Sequence, residues 1–520
     1  MSWFEEAVFY HIYPLGLTGA PAENPYGEAV HRLRSLEVWI PHIRSLGATA
    51  LYIGPLFESV GHGYETTDYR RLDTRLGTNE DLADFVRLCH EAGIRVILDA
   101  VFNHTGRDFF AFRDIREKRE ASRYRDWYCG VNFSGNNEFG DGFSYENWGG
   151  YDLLAKLNLR NPEVRGYLLD TVRFWKEAFD IDGLRLDAAD VLDFDFMRDL
   201  RSTVESLGED LFLMGEVIHG DYARWANDRT LNAVTNYHLH KALYNAHNDR
   251  NYFEIAHTVR RQKDMGLLEG ARLYNFVDNH DVERIATKLR EPAHYLPVHV
   301  LLFTLPGIPS VYYGSEFGIQ GKKERWSDAS LRPCLDLGQL TAGDNPCLQL
   351  IRALGRIRES EKALVWGEYR ELQLTNTQFA FARGDVIVTV NSAAQEAWFD
   401  VGADGAYTGA LSGRRAESRG GRLNLQLSAN EGEIWIPEGR GRAAFEPVKP
   451  VPVHRQPEPA QQHLPERAAG KPYEEMDIGE LQAEILAKLA ANGPVTERMK
   501  REVLENVYKN SLLNWVKSFR

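Results

Sequence analysis

The sequence predicts an α/β protein built on a (β/α)8 TIM barrel, and three observations support this fold class. From about residue 7 to about residue 360, short apolar runs alternate with longer amphipathic segments, as expected for parallel strands separated by helices. Eight such runs occur in this part of the chain. Several of them end on a carboxylate or an imidazole, and polar side chains at the carboxyl ends of buried strands are typical of the open mouth of such a barrel.

The candidate strands are apolar enough to be buried on both faces, as the strands of a parallel barrel are. They cover residues 8–13, 48–53, 96–99, 183–187, 211–216, 231–236, 273–276 and 309–313. The alternation breaks between the third and fourth strands, where residues 105–158 are rich in glycine, asparagine and aromatic side chains. Because a structureless loop of that length is implausible in a compact domain, we expect an inserted subdomain after strand three. Its aromatic side chains could wall a ligand cleft or form a small core of their own.

The chain beyond the barrel predicts a C-terminal antiparallel β-sandwich. Six runs alternate or are apolar between turns rich in Gly, Asn and Asp: 369–373, 379–383, 386–391, 396–401, 423–427 and 433–436. No set of acids, bases or nucleophiles occurs in these runs, so we expect the sandwich to support the barrel.

The last part of the chain predicts a linker and a pair of helices. The proline-rich composition of residues 438–472 is typical of an extended, semi-rigid linker. In the following segment, Leu481, Ile485 and Leu489 fall on one helical face. Because two short helices cannot bury such faces alone, we expect them to dock on the body of the protein or to form a homo-oligomer.

These patterns divide the chain into six units. They are the first part of the barrel (1–104), the inserted domain (105–158), the second part of the barrel (159–362), the β-sandwich (363–437), the Pro-rich linker (438–472) and the helical tail (473–520).

Composition limits the possible partners. A formal charge of −14 disfavours sequence-independent binding to nucleic acid or to an anionic membrane surface, and no run is long enough to span a bilayer. The four cysteines are scattered without metal or disulfide spacing, and the N-terminus has no secretory signature. We therefore expect a cytoplasmic protein whose ligand is a neutral small molecule or polymer.

The stretch Gly183-Leu-Arg185-Leu-Asp187 is the one around which the predicted site is organised. In a strand, residues two apart point to the same side, so Arg185 and Asp187 should be neighbours. We expect the guanidinium to lower the pKa of Asp187 and to keep it ionised. Alone, this pattern could be a solvated ion pair at a strand end.

Three other runs end in the same way, which favours a shared site. Asp99 ends the third run and leads to Asn103 and His104, Glu216 ends the fifth run, and the seventh run leads into Asp278-Asn279-His280-Asp281. Because the carboxyl ends of barrel strands meet at one edge, we expect these side chains to converge.

With these motifs the sequence resembles the α-amylase family of glycoside hydrolases over residues 5–437. The segment Leu154-Ala155-Lys156-Leu157-Asn158 is similar to a motif of the neopullulanase and cyclomaltodextrinase branch. Two features depart from that branch. Its extra N-terminal β-domain has no counterpart before the first strand, and Ala-Ala-Asp follows Asp187 where the branch has Val-Ala-Asn-Glu.

The resemblance implies roles for nine residues. Asp187 would be the nucleophile, Glu216 the general acid and then base, and Asp281 the third carboxylate, which binds the 2- and 3-hydroxyls of the reacting glucose. The substrate-binding residues would be Tyr64 beneath the sugar, His104 at its 6-hydroxyl, His280 beside Asp281, and Asp99, Asn103 and Arg185.

The implied activity is retaining hydrolysis of α-1,4-glucosidic bonds in maltooligosaccharides or cyclodextrins. Three alternatives share these residues: an α-glucan transglycosylase, a trehalose-forming isomerase, and a glucan-binding scaffold without catalysis. No catalytic cofactor is implied. Some members of the family carry a structural calcium, which in this chain would lie near Asn103. The polar segment 135–142 could also supply oxygen ligands, but it lacks EF-hand spacing and fits an ordinary turn as well.

Overall fold

The computed structural model describes residues 2–208, 210–324, 327–439 and 478–491, together with Tyr473, Val503 and Leu512. Eight parallel strands close into a barrel in which each strand lies next to its neighbours in sequence. They are β1 (Phe9–Ile12), β2 (Ala50–Ile53), β3 (Arg95–Ala100), β4 (Gly183–Leu186), β5 (Phe212–Gly215), β6 (Ala233–Thr235), β7 (Leu273–Asn275) and β8 (Ile308–Tyr312). The predicted (β/α)8 barrel is confirmed, and each predicted strand overlaps an observed one.

The helices cover the outside of the barrel, except for α3, which belongs to the insertion. They are α1 (Trp39–Ser45), α2 (Asn79–Glu91), α3 (Phe110–Lys118), α4 (Pro162–Phe179), α5 (Phe194–Ser206), α6 (Tyr237–Asn248), α7 (Phe253–Asp264), α8 (Tyr295–Thr304) and α9 (Pro346–Ser360). Short helices of four or five residues lie at Pro14–Leu17, Ile285–Lys288, Leu337–Thr341 and Ala363–Trp366. The apolar faces of the helices around the barrel pack on the outward side chains of the strands. The inward side chains of the strands fill the barrel.

The strand register brings the predicted site residues to one edge of the barrel. Asp99 of β3 lies opposite Arg185 of β4. The backbone N–H of Asp187 donates to the carbonyl of Ala100 (3.1 Å), and that of Glu216 donates to the carbonyl of Leu186 (2.9 Å). Asp187 and Glu216 are therefore each the first residue beyond the end of a strand.

The insertion forms its own small sheet, and its aromatic side chains divide into two groups. Strands His104–Thr105, Asn147–Trp148 and Tyr151–Lys156 make a three-stranded sheet. The buried aromatic side chains pack with α3 and include Phe112, Tyr128, Phe143 and Tyr145. By contrast, Trp148 is 39% exposed and Tyr151 is 61% exposed. The small core predicted for these aromatic side chains is therefore present, whereas their use as the wall of a ligand cleft stays a prediction.

The C-terminal domain consists of antiparallel sheets, as predicted. Its strands are β9 (Tyr369–Leu374), β10 (Gln378–Arg383), β11 (Val386–Asn391), β12 (Ala397–Gly402), β13 (Ala406–Gly409), β14 (Arg415–Glu417), β15 (Arg422–Leu427) and β16 (Gly432–Pro437). Strands β12 and β15 form a separate pair. The sequence pattern missed β13 and β14, because these strands are short and have few apolar residues.

A buried arginine joins the C-terminal domain to the barrel. Arg383 of β10 donates to the carbonyl of Thr304 at the end of α8 (2.8 Å). Because its guanidinium is buried, this hydrogen bond holds the two domains in a defined arrangement.

In the tail, the first predicted helix is present as α10 (Ile478–Ala491). Leu481 and Ile485 are buried in a small cluster with Val503 and Leu512. Most of the predicted linker and most of the second predicted helix lie outside the described residues. Within the part of the chain that the structure describes, no helix has the length and apolar composition needed to cross a bilayer.

Candidate active site

The guanidinium of Arg185 joins three carboxylates at the mouth of the barrel. Its Nη1 donates to Oδ1 of Asp99 (2.9 Å) and to Oδ1 of Asp187 (2.8 Å). Its Nη2 forms an ion pair with Oε2 of Glu216 (2.9 Å). Arg185 is only 3% exposed, so these contacts are made in a poorly solvated environment where they fix side-chain positions strongly.

Close backbone packing at two glycines permits this convergence. A Cβ atom at Gly54 would lie 2.3 Å from Cβ of Asp99, and one at Gly215 would lie 2.4 Å from a methyl group of Leu231. At Gly54 the added atom would displace Asp99 itself, and at Gly215 it would displace the Leu231 side chain and crowd Cβ of Ala189 (2.8 Å). Ala188 adopts a left-handed backbone conformation (φ 47°), and its N–H donates to Oε2 of Glu216 (3.1 Å). The turn after Asp187 thus also orients Glu216.

The pKa of Asp187 differs in direction from the one predicted from the sequence. Burial raises the pKa of Asp187 well above its ordinary value, the carboxylates of Glu216 and Asp99 add to this effect, and Arg185 does not offset it. Arg185 does lower the pKa of Asp187, as predicted, but the predicted net effect, a lowered pKa that keeps Asp187 ionised, is wrong. Burial is the largest cause of the raised pKa, and the nearby carboxylates add to it, so the single guanidinium does not outweigh them.

Tyr64, His280 and Asp281 form a second group that contacts the first. The hydroxyl of Tyr64 donates to Oδ2 of Asp99 (3.2 Å) and is also in hydrogen-bond contact with Nε2 of His280. The same nitrogen of His280 lies 3.0 Å from Oδ2 of Asp281. The hydroxyl of Tyr52 also donates to Oδ2 of Asp99 (2.9 Å). A continuous chain of polar contacts therefore links Asp281 to Arg185.

His104 lies on the first strand of the insertion sheet, with Asn103 beside it. Nδ2 of Asn103 lies 3.2 Å from Nδ1 of His104. Burial lowers the pKa of His104 to about 3, so the ring is neutral near neutral pH. Its Nε2 is buried and has no hydrogen-bond partner among the described residues, which leaves this nitrogen available to a ligand hydroxyl.

The arrangement gives no support to a calcium site near Asn103. Calcium takes six to eight oxygen ligands, and acidic side chains usually supply several of them. Among the described residues, no group of three or more His, Cys, Asp or Glu side chains is placed to hold a metal ion. The calcium site stays a prediction.

Arg332 is a site residue that the sequence patterns did not indicate. It follows β8 in a segment without regular periodicity. Its Nη2 donates to Oδ1 of Asp281 (2.9 Å), its Nε donates to the carbonyl of His280 (3.0 Å), and its guanidinium lies 4.6 Å from the ring centre of Tyr13. Burial opposes the charged form of Asp281, but His280 and Arg332 outweigh it and hold the pKa of Asp281 well below its usual range.

Replacing Arg332 with glutamine is expected to move the acid limb of the kcat/KM profile for an α-glucan to higher pH. The cation lowers the pKa of Asp281, so without it Asp281 becomes protonated at a higher pH. The lost hydrogen bonds to a charged group should also lower kcat/KM at pH 7 by about 10- to 100-fold. Lys323→Gln is the matched control, because Lys323 contacts the backbone carbonyl of Asp281 rather than its carboxylate, besides pairing with Asp328, and should give a smaller change. An acid limb that does not move in Arg332→Gln would contradict this assignment.

Several known proteins are similar to this chain. A family model described as alpha amylase, catalytic domain, matches residues 33–334. The chain is 30% identical to a cyclomaltodextrinase of Bacillus sp, over 75% of this chain and 73% of that protein. It is 31% identical to neopullulanase 2 of Thermoactinomyces vulgaris, over 83% of this chain and 78% of that protein. A solved structure of a cyclomaltodextrinase matches with a TM-score of 0.75 at 27% identity, covering 84% of this chain and 78% of that one.

Proposed function

The chain belongs to the α-amylase family of glycoside hydrolases, and on that premise we propose that it hydrolyses α-1,4-glucosidic bonds of maltooligosaccharides or cyclodextrins with retention of configuration. One observation carries this proposal: Asp187 and Glu216 lie against the same guanidinium, that of Arg185. Retaining glycosidases need two carboxyl groups about 5–5.5 Å apart, and a shared guanidinium keeps the pair close.

In the first step, a carboxylate oxygen of Asp187 forms a bond to the anomeric carbon as the bond from that carbon to the leaving oxygen breaks. The carboxyl group of Glu216 transfers its proton to the leaving oxygen. The products are a sugar with a free hydroxyl and a covalent glycosyl-enzyme intermediate. This step needs Asp187 charged and a proton on Glu216. Because burial raises the pKa of Asp187, the step requires a pH high enough to leave that carboxyl group charged.

In the second step, Glu216 acts as a base. It accepts a proton from water while the water oxygen forms a bond to the anomeric carbon and the bond between that carbon and Asp187 breaks. Two displacements at the same carbon restore the starting configuration. The ion pair with Arg185 then holds the released Asp187 carboxylate in place for the next cycle.

Asp281 and His280 would bind the ring hydroxyls of the reacting glucose. The low pKa of Asp281 supports this role, because a carboxylate that stays charged accepts hydrogen bonds from two hydroxyls over a wide pH range. Tyr64 would lie under the sugar, and Nε2 of His104 would bind its 6-hydroxyl. These binding roles would account for the presence of polar side chains at the strand ends, where the surrounding core is apolar.

The experiment that tests the proposal is a chromatogram of the products from maltoheptaose, β-cyclodextrin and pullulan. We expect glucose or maltose from maltoheptaose and ring opening of β-cyclodextrin, because the similar proteins include cyclomaltodextrinases and a neopullulanase. Release of no product from any of the three would contradict the proposal. Longer oligosaccharides or trehalose at high substrate concentration would instead favour the transglycosylase or the isomerase.

Two further expectations belong with this proposal. A cytoplasmic location is supported by the free thiols of Cys89, Cys129, Cys334 and Cys347. Self-association through residues 473–520 stays an expectation, because Leu481 and Ile485 of α10 are buried against Val503 and Leu512 of the same chain; the mass of the full chain in solution tests it.

A further inference from the structure

The hydroxyl of Tyr237 lies between Glu216 and the loop that carries Asp281. Tyr237 is the first residue of α6, which begins directly after β6. Its hydroxyl donates to Oε1 of Glu216 (3.2 Å), and Nδ2 of Asn279 donates to the same hydroxyl (3.2 Å). The sequence patterns assigned no role to either Tyr237 or Asn279.

The hydrogen-bond network settles the direction of these bonds. Oδ1 of Asn279 accepts from the backbone N–H groups of Asp281 (2.8 Å) and Val282 (3.1 Å), so the amide has only one satisfactory orientation. Its Nδ2 therefore faces Tyr237 and can only donate. The phenol oxygen of Tyr237 accepts that bond, and its own proton is left to point at Glu216.

Packing holds the phenol ring in this position. The ring meets that of Phe276 edge to face, with centres 4.9 Å apart. Burial raises the pKa of Tyr237 well above its ordinary value, and the charge of Glu216 adds to this effect. The hydroxyl therefore stays a donor at every pH at which a glycosidase would work.

We propose that Tyr237 is a positioning residue for Glu216, which holds one oxygen of the acid/base carboxyl group and eases the loss of its proton to the leaving oxygen. This inference rests on the proposed function. The other oxygen of Glu216, Oε2, is held by the N–H of Ala188 and by Arg185. With the hydroxyl of Tyr237 bound to Oε1, the carboxyl group of Glu216 cannot rotate between steps. The oxygen that gives its proton to the leaving group is therefore held in one position.

The other ionisable groups that face Glu216 would not change when the hydroxyl is removed. They are Arg185, Asp187, Asp190 and Tyr52. A hydrogen bond donated to a carboxylate favours its charged form. Without that bond the catalytic acid should keep its proton to a higher pH, so the alkaline limb of the kcat/KM profile should move upwards.

The test compares Tyr237→Phe with wild-type protein on two substrates. Maltoheptaose needs a proton on its leaving oxygen, whereas α-maltosyl fluoride releases fluoride with little help from an acid. We expect Tyr237→Phe to lose about 10- to 100-fold in kcat/KM on maltoheptaose, mainly through kcat, and less than about 3-fold on the fluoride. Tyr274→Phe is the matched control. It removes a buried phenol hydroxyl that donates to Ser310, and both substrates should be turned over as by the wild type.

Three results would overturn the inference while leaving the proposed function intact, provided that wild-type protein cleaves maltoheptaose. They are an unchanged kcat/KM in Tyr237→Phe, equal losses on the two substrates, and an alkaline limb that does not move. Equal losses would mean that the ring has only a packing role. If Tyr237→Phe does not yield folded protein, Tyr237→Leu is assayed for the same ratio between substrates. If wild-type protein cleaves neither substrate, the proposed function fails first.

Discussion

Replacing Asp187 with asparagine is expected to lower kcat/KM for maltoheptaose by at least about 10⁴-fold, which corresponds to roughly 5.5 kcal/mol of transition-state stabilisation. The amide has nearly the same shape as the carboxylate but cannot form the covalent bond to the anomeric carbon. The binding residues around the sugar remain in place, so substrate affinity should change far less than turnover. The measurement is steady-state kinetics, with isothermal titration of maltoheptaose to the inactive variant.

The control for this experiment is Asp195→Asn. Asp195 lies eight residues after Asp187, in the first turn of α5, where its exposed side chain pairs with Arg198. Near wild-type activity in Asp195→Asn and almost none in Asp187→Asn would assign the effect to one carboxylate. Substantial activity in folded Asp187→Asn would remove the nucleophile from the proposed mechanism.

The second large effect is expected from Glu216→Gln. General acid and base catalysis each contribute about 10²- to 10⁴-fold, so hydrolysis of maltoheptaose should fall by at least that amount. With α-maltosyl fluoride, the first step needs little acid and should still proceed. The second step needs a base to activate water, so the glycosyl-enzyme intermediate should accumulate. A burst of fluoride followed by slow turnover is the expected time course.

Mass spectrometry of the accumulated glycosyl-enzyme intermediate tests Asp187 as the nucleophile and Glu216 as the base in the same experiment. The protein should gain the mass of one maltosyl unit, and peptide mapping should place the unit on Asp187. A label on any other residue would assign the nucleophile elsewhere. The double variant Asp187→Asn, Glu216→Gln should give neither the burst nor the label.

The local patterns of the sequence were sufficient for the barrel and for the residues at its strand ends. Asp99, Asp187 and Glu216 each end a buried apolar run. In a parallel barrel the carboxyl ends of all strands lie at the same edge, so these side chains must converge there. The same reasoning held for the strands of the C-terminal domain, where apolar residues alternate over several positions. It failed for β13 and β14, where no such pattern exists.

The remaining site residues depend on contacts between distant segments. Arg332 lies in an irregular segment after β8. In the sequence, Tyr237 cannot be told apart from any other aromatic residue at the start of a helix. Neither position carries a local signal of its contact with Asp281 or Glu216. The pKa of Asp187 was predicted in the wrong direction for a similar reason, because the strand pattern shows one neighbouring arginine but neither how deeply the carboxyl group is buried nor which carboxylates lie beside it.

The burial of Asp187 also makes the stability of the fold depend on pH. A carboxyl group whose pKa is higher in the folded chain than in the unfolded chain binds more protons when folded, so the free energy of unfolding falls as pH rises from the ordinary pKa to the raised one. Above that range, the charged Asp187 weakens the native state of the molecule.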